Sequence, residues 1–302
     1  MDMTRLRTFR ELANRGTVAA AAAAVHCTPS AVSQQIKALS AELGVALTEP
    51  AGRGLRLTDA GEALLRHADE VLAASERAEA ELDAFRTVPR GRVRVALFPS
   101  GALLLLAGLI RRVNELSELT VDYRDVDMRH SEAKGLLADF DIVVTHYDER
   151  GVSAADERAD AVPLLREPLD VALPPGHRLE RRRTVRLEEL ATDPWISVDV
   201  GMPVDDVLGS LAVRTGIRPR IVQRINDFRV TEELVAAGHG IALLPRYTTN
   251  WTRLLQRPLS GIRAARHMEA LVRPGTAPRP GIAAVLDALH AEISTVTDSA
   301  LE

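Results

Sequence analysis

Residues 16–65 read GTVAAAAAAVHCTPSAVSQQIKALSAELGVALTEPAGRGLRLTDAGEALL, and this run decides the fold of the N-terminal part. Its clearest signal is Thr28-Pro29: a hydroxyl that can cap a helix, then a proline at the first helical position, where its missing N–H costs nothing. Val32, Ile36, Leu39 and Leu43 then fall on one stripe, and Gly44 supplies the stop. The opposite face offers Thr28 at the start, then Ser30, Ser33, Gln34 and Lys37. Small hydroxyls, an amide and a lysine near a helix N-terminus suit base edges and phosphates in a major groove, although the same stripe also describes an ordinary solvated face.

Working outward, Thr17 can cap a short alanine-rich helix whose inner face is Val18, Ala21, Ala22 and Val25. Upstream of it, Leu6, Phe9 and Leu12 recur at helical spacing before Gly16. Downstream, Leu47, the turn Ala51-Gly52-Arg53-Gly54, then Leu55 and Leu57 read as a tight β-hairpin. Arg53 and Arg56 would project from it towards a phosphate backbone. Three short helices and a basic hairpin make a winged helix-turn-helix over residues 1–57. This stretch carries seven basic groups against four acidic ones, a balance of +3 in a chain of net charge −4, which leaves the remainder at −7. A mildly basic head on an acidic body fits a localised DNA contact, not a general nucleic-acid coat.

From Thr58 to about Val88 no proline interrupts, and Leu64, Val71, Ala78 and Phe85 repeat every seven residues, as do Ala68, Ser75 and Leu82. Such a period indicates helix pairing in a coiled coil; a single amphipathic helix lying on its own domain is the alternative. Pro89-Arg90-Gly91 ends this linker, placed at residues 58–90.

Beyond it, Arg92–Phe98 alternates as a strand, Ala102–Asn114 is an apolar helix, and strands are expected at Leu119–Val126 and Asp141–Thr145 around a helix near Ser131–Ala138. A second α/β unit follows, with strands at Asp170–Leu173, Trp195–Val198, Arg220–Ile225 and Ile241–Leu244 and helices at Val185–Leu190, Val204–Thr215 and Val230–Ala237. Met268–Arg273 is a further strand, and a last helix runs from Gly281 to about Ser294. The order implies a parallel sheet with helices on its faces. Residues 91–302 thus form two α/β lobes, lobe I about 91–162 and 268–302 and lobe II about 163–267. Ligands bind parallel sheets beyond the carboxyl ends of the strands, where helix N-termini present free N–H groups to an anion. Ser100 and Gly101, His146, Met202 and Phe228 are therefore the candidate effector contacts, Ser100 first among them; helix capping or loop packing is the alternative for each.

The first sixty residues resemble the N-terminal signature of LysR-type regulators. The match rests on Gly16-Thr17, Ala21-Ala22, His26, Ala31-Val32-Ser33, Gln35-Ile36, Leu39, Glu42-Leu43-Gly44-Val45, Leu47 and Leu57-Thr58-Asp59-Ala60-Gly61. In the body, Pro175-Gly176-His177, Asp193-Pro194-Trp195-Ile196 and the run from Glu233 to Pro245 are similar to the same family. Val18, Gln34, Thr48 and Pro50 depart from its usual residues, and the lack of bases at 34 and 50 weakens phosphate affinity. The resemblance implies a winged helix-turn-helix, a long linker helix that pairs two chains, and a two-lobed effector domain of periplasmic-binding-protein form. It implies double-stranded promoter DNA and a small-molecule effector as partners, self-association as a homodimer and then a homotetramer, and contact with RNA polymerase.

Other signals lead nowhere. Cys27 is the single cysteine, so neither a disulfide nor a cysteine metal cluster is available. His177, His239 and His267 stand apart without metal-ligand spacing, and no catalytic elbow, phosphate-binding loop or His-Glu-x-x-His helix occurs. No cofactor, metal or enzymatic activity is expected, nor any membrane segment, and the expected location is the cytoplasm. A solute-binding protein or an enzyme on the same two-lobed body are the competing readings.

Overall fold

The computed structural model describes residues 1–51, 54–84, 89–149, 151–261 and 263–299. The chain divides into two compact units, one of Met1–Thr87 with Arg273–Arg279, the other of Val88–Val272 with Pro280–Glu302.

In the first unit, α1 (Met3–Arg15) starts at Asp2, whose carboxylate accepts from the N–H groups of Thr4 and Arg5, and ends at Gly16 in the left-handed conformation. Thr17 caps α2 (Val18–Ala24), and Thr28 caps α3 (Pro29–Leu43), which Gly44 closes. Between α2 and α3 the backbone turns through His26 at φ 52°, a region histidine enters more readily than most residues. Phe9, Leu12, Ala21, Ala22, Val32, Ile36, Leu39 and Leu47 form the core. The methyl side chains of Ala21 and Ala22 let three helices approach closely around them. Leu43, expected on the inner stripe, is 39% exposed, because the last turn of α3 runs past that core.

The hairpin pairs β1 (Thr48–Ala51) with β2 (Gly54–Leu57), Glu49 facing Arg56. Helix α4 (Asp59–Ala84) follows. Its early residues do not wait for a second chain: Ala68 and Leu72 are fully buried against Leu6, with Leu64 alongside. The seven-residue pattern therefore splits. Leu64 and Ala68 pack within the head, while Val71 and Leu82, further along the same two repeats, stay exposed. Phe85 lies outside the described residues.

The second unit is built on one nine-stranded sheet, in the order β4-β3-β5-β11-β6-β9-β7-β8, with β10 also on β6. Its first half has β3 (Gly91–Leu97), α5 (Pro99–Val113), β4 (Leu119–Asp125), a 3₁₀ helix at His130–Ala138 and β5 (Ile142–Asp148). Its second half has β7 (Pro194–Ser197), α6 (Pro203–Thr215), β8 (Arg220–Arg224), α7 (Phe228–Ala236) and β9 (Ile241–Pro245). Each half sets three parallel strands in the same order, the first strand in the middle.

What joins them differs from the expectation of a purely parallel sheet. The 14-residue β6 (Asp160–Leu173) pairs antiparallel with β11 (Ala265–Val272) through its first part, then with β9 and β10 (Leu255–Pro258) through its last. Only Asp170–Leu173 of β6 is expected from the sequence; the rest of the strand carries Pro163 and Pro168, which cannot donate to a ladder. Pro163 sits beside an irregularity where the register shifts between Met268 and Glu269, so its missing N–H is tolerated. Helix α8 (Pro280–Ser299) returns to α5, and Gly108 makes room there for the buried carboxylate of Glu292.

Among the described residues, no helix is long and apolar enough to cross a membrane, and no cluster of three or more His, Cys, Asp or Glu side chains could hold a metal ion.

Candidate functional site

A cavity of about 620 Å³ opens in the second unit between the strand ends of the two halves. Its walls come from the turn after β3 (Phe98, Ser100), the end of β4 (Asp125, Asp127), β5 (His146) and the starts of α6 and α7 (Met202, Phe228). In each half the central strand feeds a helix to one side while its neighbour leads to the other, and ligands settle at such reversal points.

Helices α5 and α6 start alike. Each has an apolar N-cap residue, Phe98 or Met202, that makes no side-chain cap bond, followed by proline at the first helical position. The second-position N–H groups, those of Ser100 and Val204, have no intrahelical carbonyl to reach. Both termini thus present partial positive charge at the cavity. Helix α7 differs, because the Asp227 carboxylate accepts from the N–H of Arg229.

Four of the five expected effector contacts, Ser100, His146, Met202 and Phe228, line this cavity. Gly101 does not. It is buried beneath the Phe98 ring, where a Cβ would come within 2.7 Å of the ring carbon Cζ, so its role is to let Phe98 fold back over the start of α5. The Ser100-Gly101 pair, expected as a turn before the helix, is its first turn.

Sequence reasoning missed the ion pair beneath the cavity floor. Arg266 on β11 and Glu167 on β6 face each other in register, both fully buried, with Nη2 and Oε2 2.6 Å apart. Arg266 Nη1 donates to Ser100 Oγ at 2.8 Å and Nη2 donates to Thr248 Oγ1 at 3.0 Å. The other oxygen of Glu167 accepts from the N–H groups of Tyr247 and Thr248 and from the Thr248 hydroxyl. The guanidinium lies 5.2 Å from the ring centre of Phe98 and 5.9 Å from that of Phe228. One buried cation thus touches groups from both halves. No local pattern marks Arg266; only the pairing of two strands a hundred residues apart creates the site.

His146 is buried, its ring 4.2 Å from that of Phe98, and its Nδ1 has no hydrogen-bond partner among the described residues. Burial first, then the charges of Arg266 and His130, hold its pKa well below the usual imidazole value. It is neutral at pH 7 and offers a hydrogen bond, not a charge. The same burial sets a pH dependence. Below about pH 6.5 the unfolded chain takes up a proton that folded His146 refuses, so the stability of this unit falls as pH falls. Thermal melts between about pH 8 and pH 5 should show that loss, and His146→Phe should flatten it; an unchanged slope in the variant would assign the loss elsewhere.

On the head, the expected DNA-contact residues separate into two groups. Ser30, Gln34 and Lys37 are exposed on α3. Thr28 is exposed too, and its Oγ1 accepts from the Ala31 N–H; Ser33 is half-buried, and its hydroxyl donates to the Pro29 carbonyl. Arg56 lies 2.5 Å from Glu49 across the hairpin. Arg53 lies outside the described residues. Gln35 turns inward and accepts from Thr8 on α1.

Two family models match the chain. The bacterial regulatory helix-turn-helix, lysR family, matches residues 3–62, and the LysR substrate binding domain matches residues 86–294. The transcriptional dual regulator GltC of Bacillus subtilis is 28% identical over 255 residues, 82% of this chain and 82% of that protein. A probable hydrogen peroxide-inducible genes activator of Mycobacterium leprae is 27% identical, over 80% of this chain and 76% of that protein. Among solved structures, full-length OxyR C199D from Pseudomonas aeruginosa aligns with a TM-score of 0.73 at 20% identity, covering 97% of this chain and 94% of that one. CbnR complexed with its target DNA aligns at 0.55 and 24% identity, covering 97% and 100%. The chain belongs to the LysR family of bacterial transcriptional regulators, joining that family's DNA-binding helix-turn-helix to its substrate-binding domain.

Proposed function

We propose that this regulator reads promoter DNA with the outer face of α3 and the hairpin arginines, and that a small molecule in the cavity of the second unit governs how it does so. Ser30, Gln34 and Lys37 are the exposed groups that reach bases and phosphates. Thr28 and Ser33 add hydroxyls at the start of the same helix, each also bonded to its backbone. Ser100, His146, Met202 and Phe228 contact the effector, and the two halves of the sheet act as lobes about β6 and β11. The observation that carries this reading is the cavity itself, where two uncapped helix N-termini and an apolar wall meet. It suits a compact molecule with at least one anionic or acceptor group.

An effector alters DNA binding only if it favours one arrangement of the lobes over another. Arg266 supports such a difference, since it holds Ser100 from one lobe and Thr248 from the other. The exposed Val71 and Leu82 of α4 favour a homodimer, and tetramer formation and contact with RNA polymerase extend that proposal. The protein acts in the cytoplasm and catalyses nothing in this reading. The peroxide response in the mycobacterial relative's name does not carry over as thiol oxidation, because the only cysteine, Cys27, lies in the head.

Replacing Ser100 by Leu tests the effector site. The variant should lose its response to effector while DNA affinity stays near normal, read by fluorescence anisotropy with a promoter duplex. A variant that still responds normally removes Ser100 from the site.

A further inference from the structure

The polar wall of the cavity is not uniformly suited to an anion. Asp125 and Asp127 stand at the carboxyl end of β4 and line the cavity, and neither carboxylate makes a hydrogen bond or an ion pair among the described residues. Asp227 lines it too, but is engaged in capping Arg229. An effector bearing only negative charge would meet two exposed carboxylates on this wall, which repel it.

The position of these aspartates is set by the sheet. Strand β4 pairs in parallel with β3, Asp125 beside Leu97, and the Val126 N–H donates to the Leu97 carbonyl. Ser100 follows Leu97 by three residues at the start of α5. The helix start at Ser100 and the two aspartates therefore follow neighbouring strands of the sheet and line the same cavity. Behind them, His146 is 7% exposed and its Nδ1 has no partner among the described residues, a buried polar group left for a ligand to satisfy. The rest of the lining mixes the apolar side chains of Leu103, Leu106, Met128, Met202 and Phe228 with the polar Tyr123 and Asn226.

We infer that the effector is a zwitterion of the amino-acid class with an apolar side chain: its ammonium lies between Asp125 and Asp127, its carboxylate on the Ser100 N–H and hydroxyl, and its side chain against Leu106, Met128 and Phe228. This rests on the cavity being the effector site. It adds a cationic group, and so excludes simple carboxylates and phosphates as the natural ligand. Arg229, exposed in the cavity lining and without an ion pair among the described residues, offers the carboxylate a second partner.

The test uses the full-length protein. Thermal shift against each common amino acid identifies the best binder, and calorimetry compares it with its des-amino acid and its decarboxylated amine. The zwitterion is expected to bind about tenfold more tightly than either analogue. In Asp125→Asn/Asp127→Asn that advantage over the des-amino acid should vanish, while DNA binding without effector is unchanged. A des-amino acid that binds as tightly as its parent in the wild type overturns the inference and leaves the cavity as an anion site. If no amino acid shifts the melt, the inference falls as well. Binding that persists undiminished in Ser100→Leu lies outside the cavity and overturns the underlying site assignment instead.

Discussion

Arg266→Met is expected to destabilise the second unit by about 3–5 kcal/mol, because it leaves Glu167 charged and buried without its partner. The three donors on the other Glu167 oxygen stay, so the loss falls at the lower end of that range if water reaches Oε2. Glu167→Gln should cost a similar amount for the converse reason. The double variant, with neither charge, should recover much of the loss, giving a coupling energy well above the few tenths expected of independent sites. Chemical denaturation of the four proteins checks this. Additive losses would mean that the pair does not act as a unit. The same variants also test how the cavity is held, since Arg266 fixes the Ser100 hydroxyl.

Gly61→Ala is the second large effect, and it falls on the head. A Cβ at position 61 would lie 2.1 Å from the carbonyl oxygen of Leu47, and that oxygen is fixed backbone, accepting the N–H of Thr58. Neither α4 nor the segment entering β1 can shift without breaking that closure or the Leu47 packing. Overpacking of this kind costs about 1–3 kcal/mol, with a fixed backbone towards the upper end. The expected result is a lower melting transition for the head and weaker DNA binding at all salt concentrations. A melt unchanged from wild type would show that α4 can move away freely.

These two predictions differ in how visible their residues are in the sequence. Gly61 stands in the Leu57-Thr58-Asp59-Ala60-Gly61 run, and the caps around it, Thr17, Thr28, Gly16 and Gly44, are local features whose chemistry works within a few residues. Local chemistry is what a sequence displays, so the head was legible almost element by element. Gly238 and Gly240 in the second unit are similar: one takes a left-handed turn after α7, and the other has no room for a Cβ against the Pro194 carbonyl. Ser100 was legible because a hydroxyl after a strand and before a helix has few other places to go.

The central strand β6 was not legible, because it belongs to both halves and changes neighbours along its length. Its burial follows no simple alternation, and two prolines interrupt it. Arg266 and Glu167 were invisible for a deeper reason. Each is an ordinary charged residue until β6 and β11 set them side by side. Likewise the seven-residue repeat of α4 could not say that Ala68 and Leu72 pack inside the head while Val71 and Leu82 do not, since periodicity gives a face but not its occupant.

The central claim is that the outer face of α3 reads a specific promoter. It is tested most directly by titrating full-length protein with the duplex upstream of its own gene and with a scrambled duplex, across a range of salt. Preference for the native duplex at physiological salt is predicted, and Gln34→Ala should reduce that preference by about 1–3 kcal/mol while barely changing affinity for scrambled DNA. Equal loss on both duplexes, or no preference in the wild type at any salt, would contradict base reading by this helix.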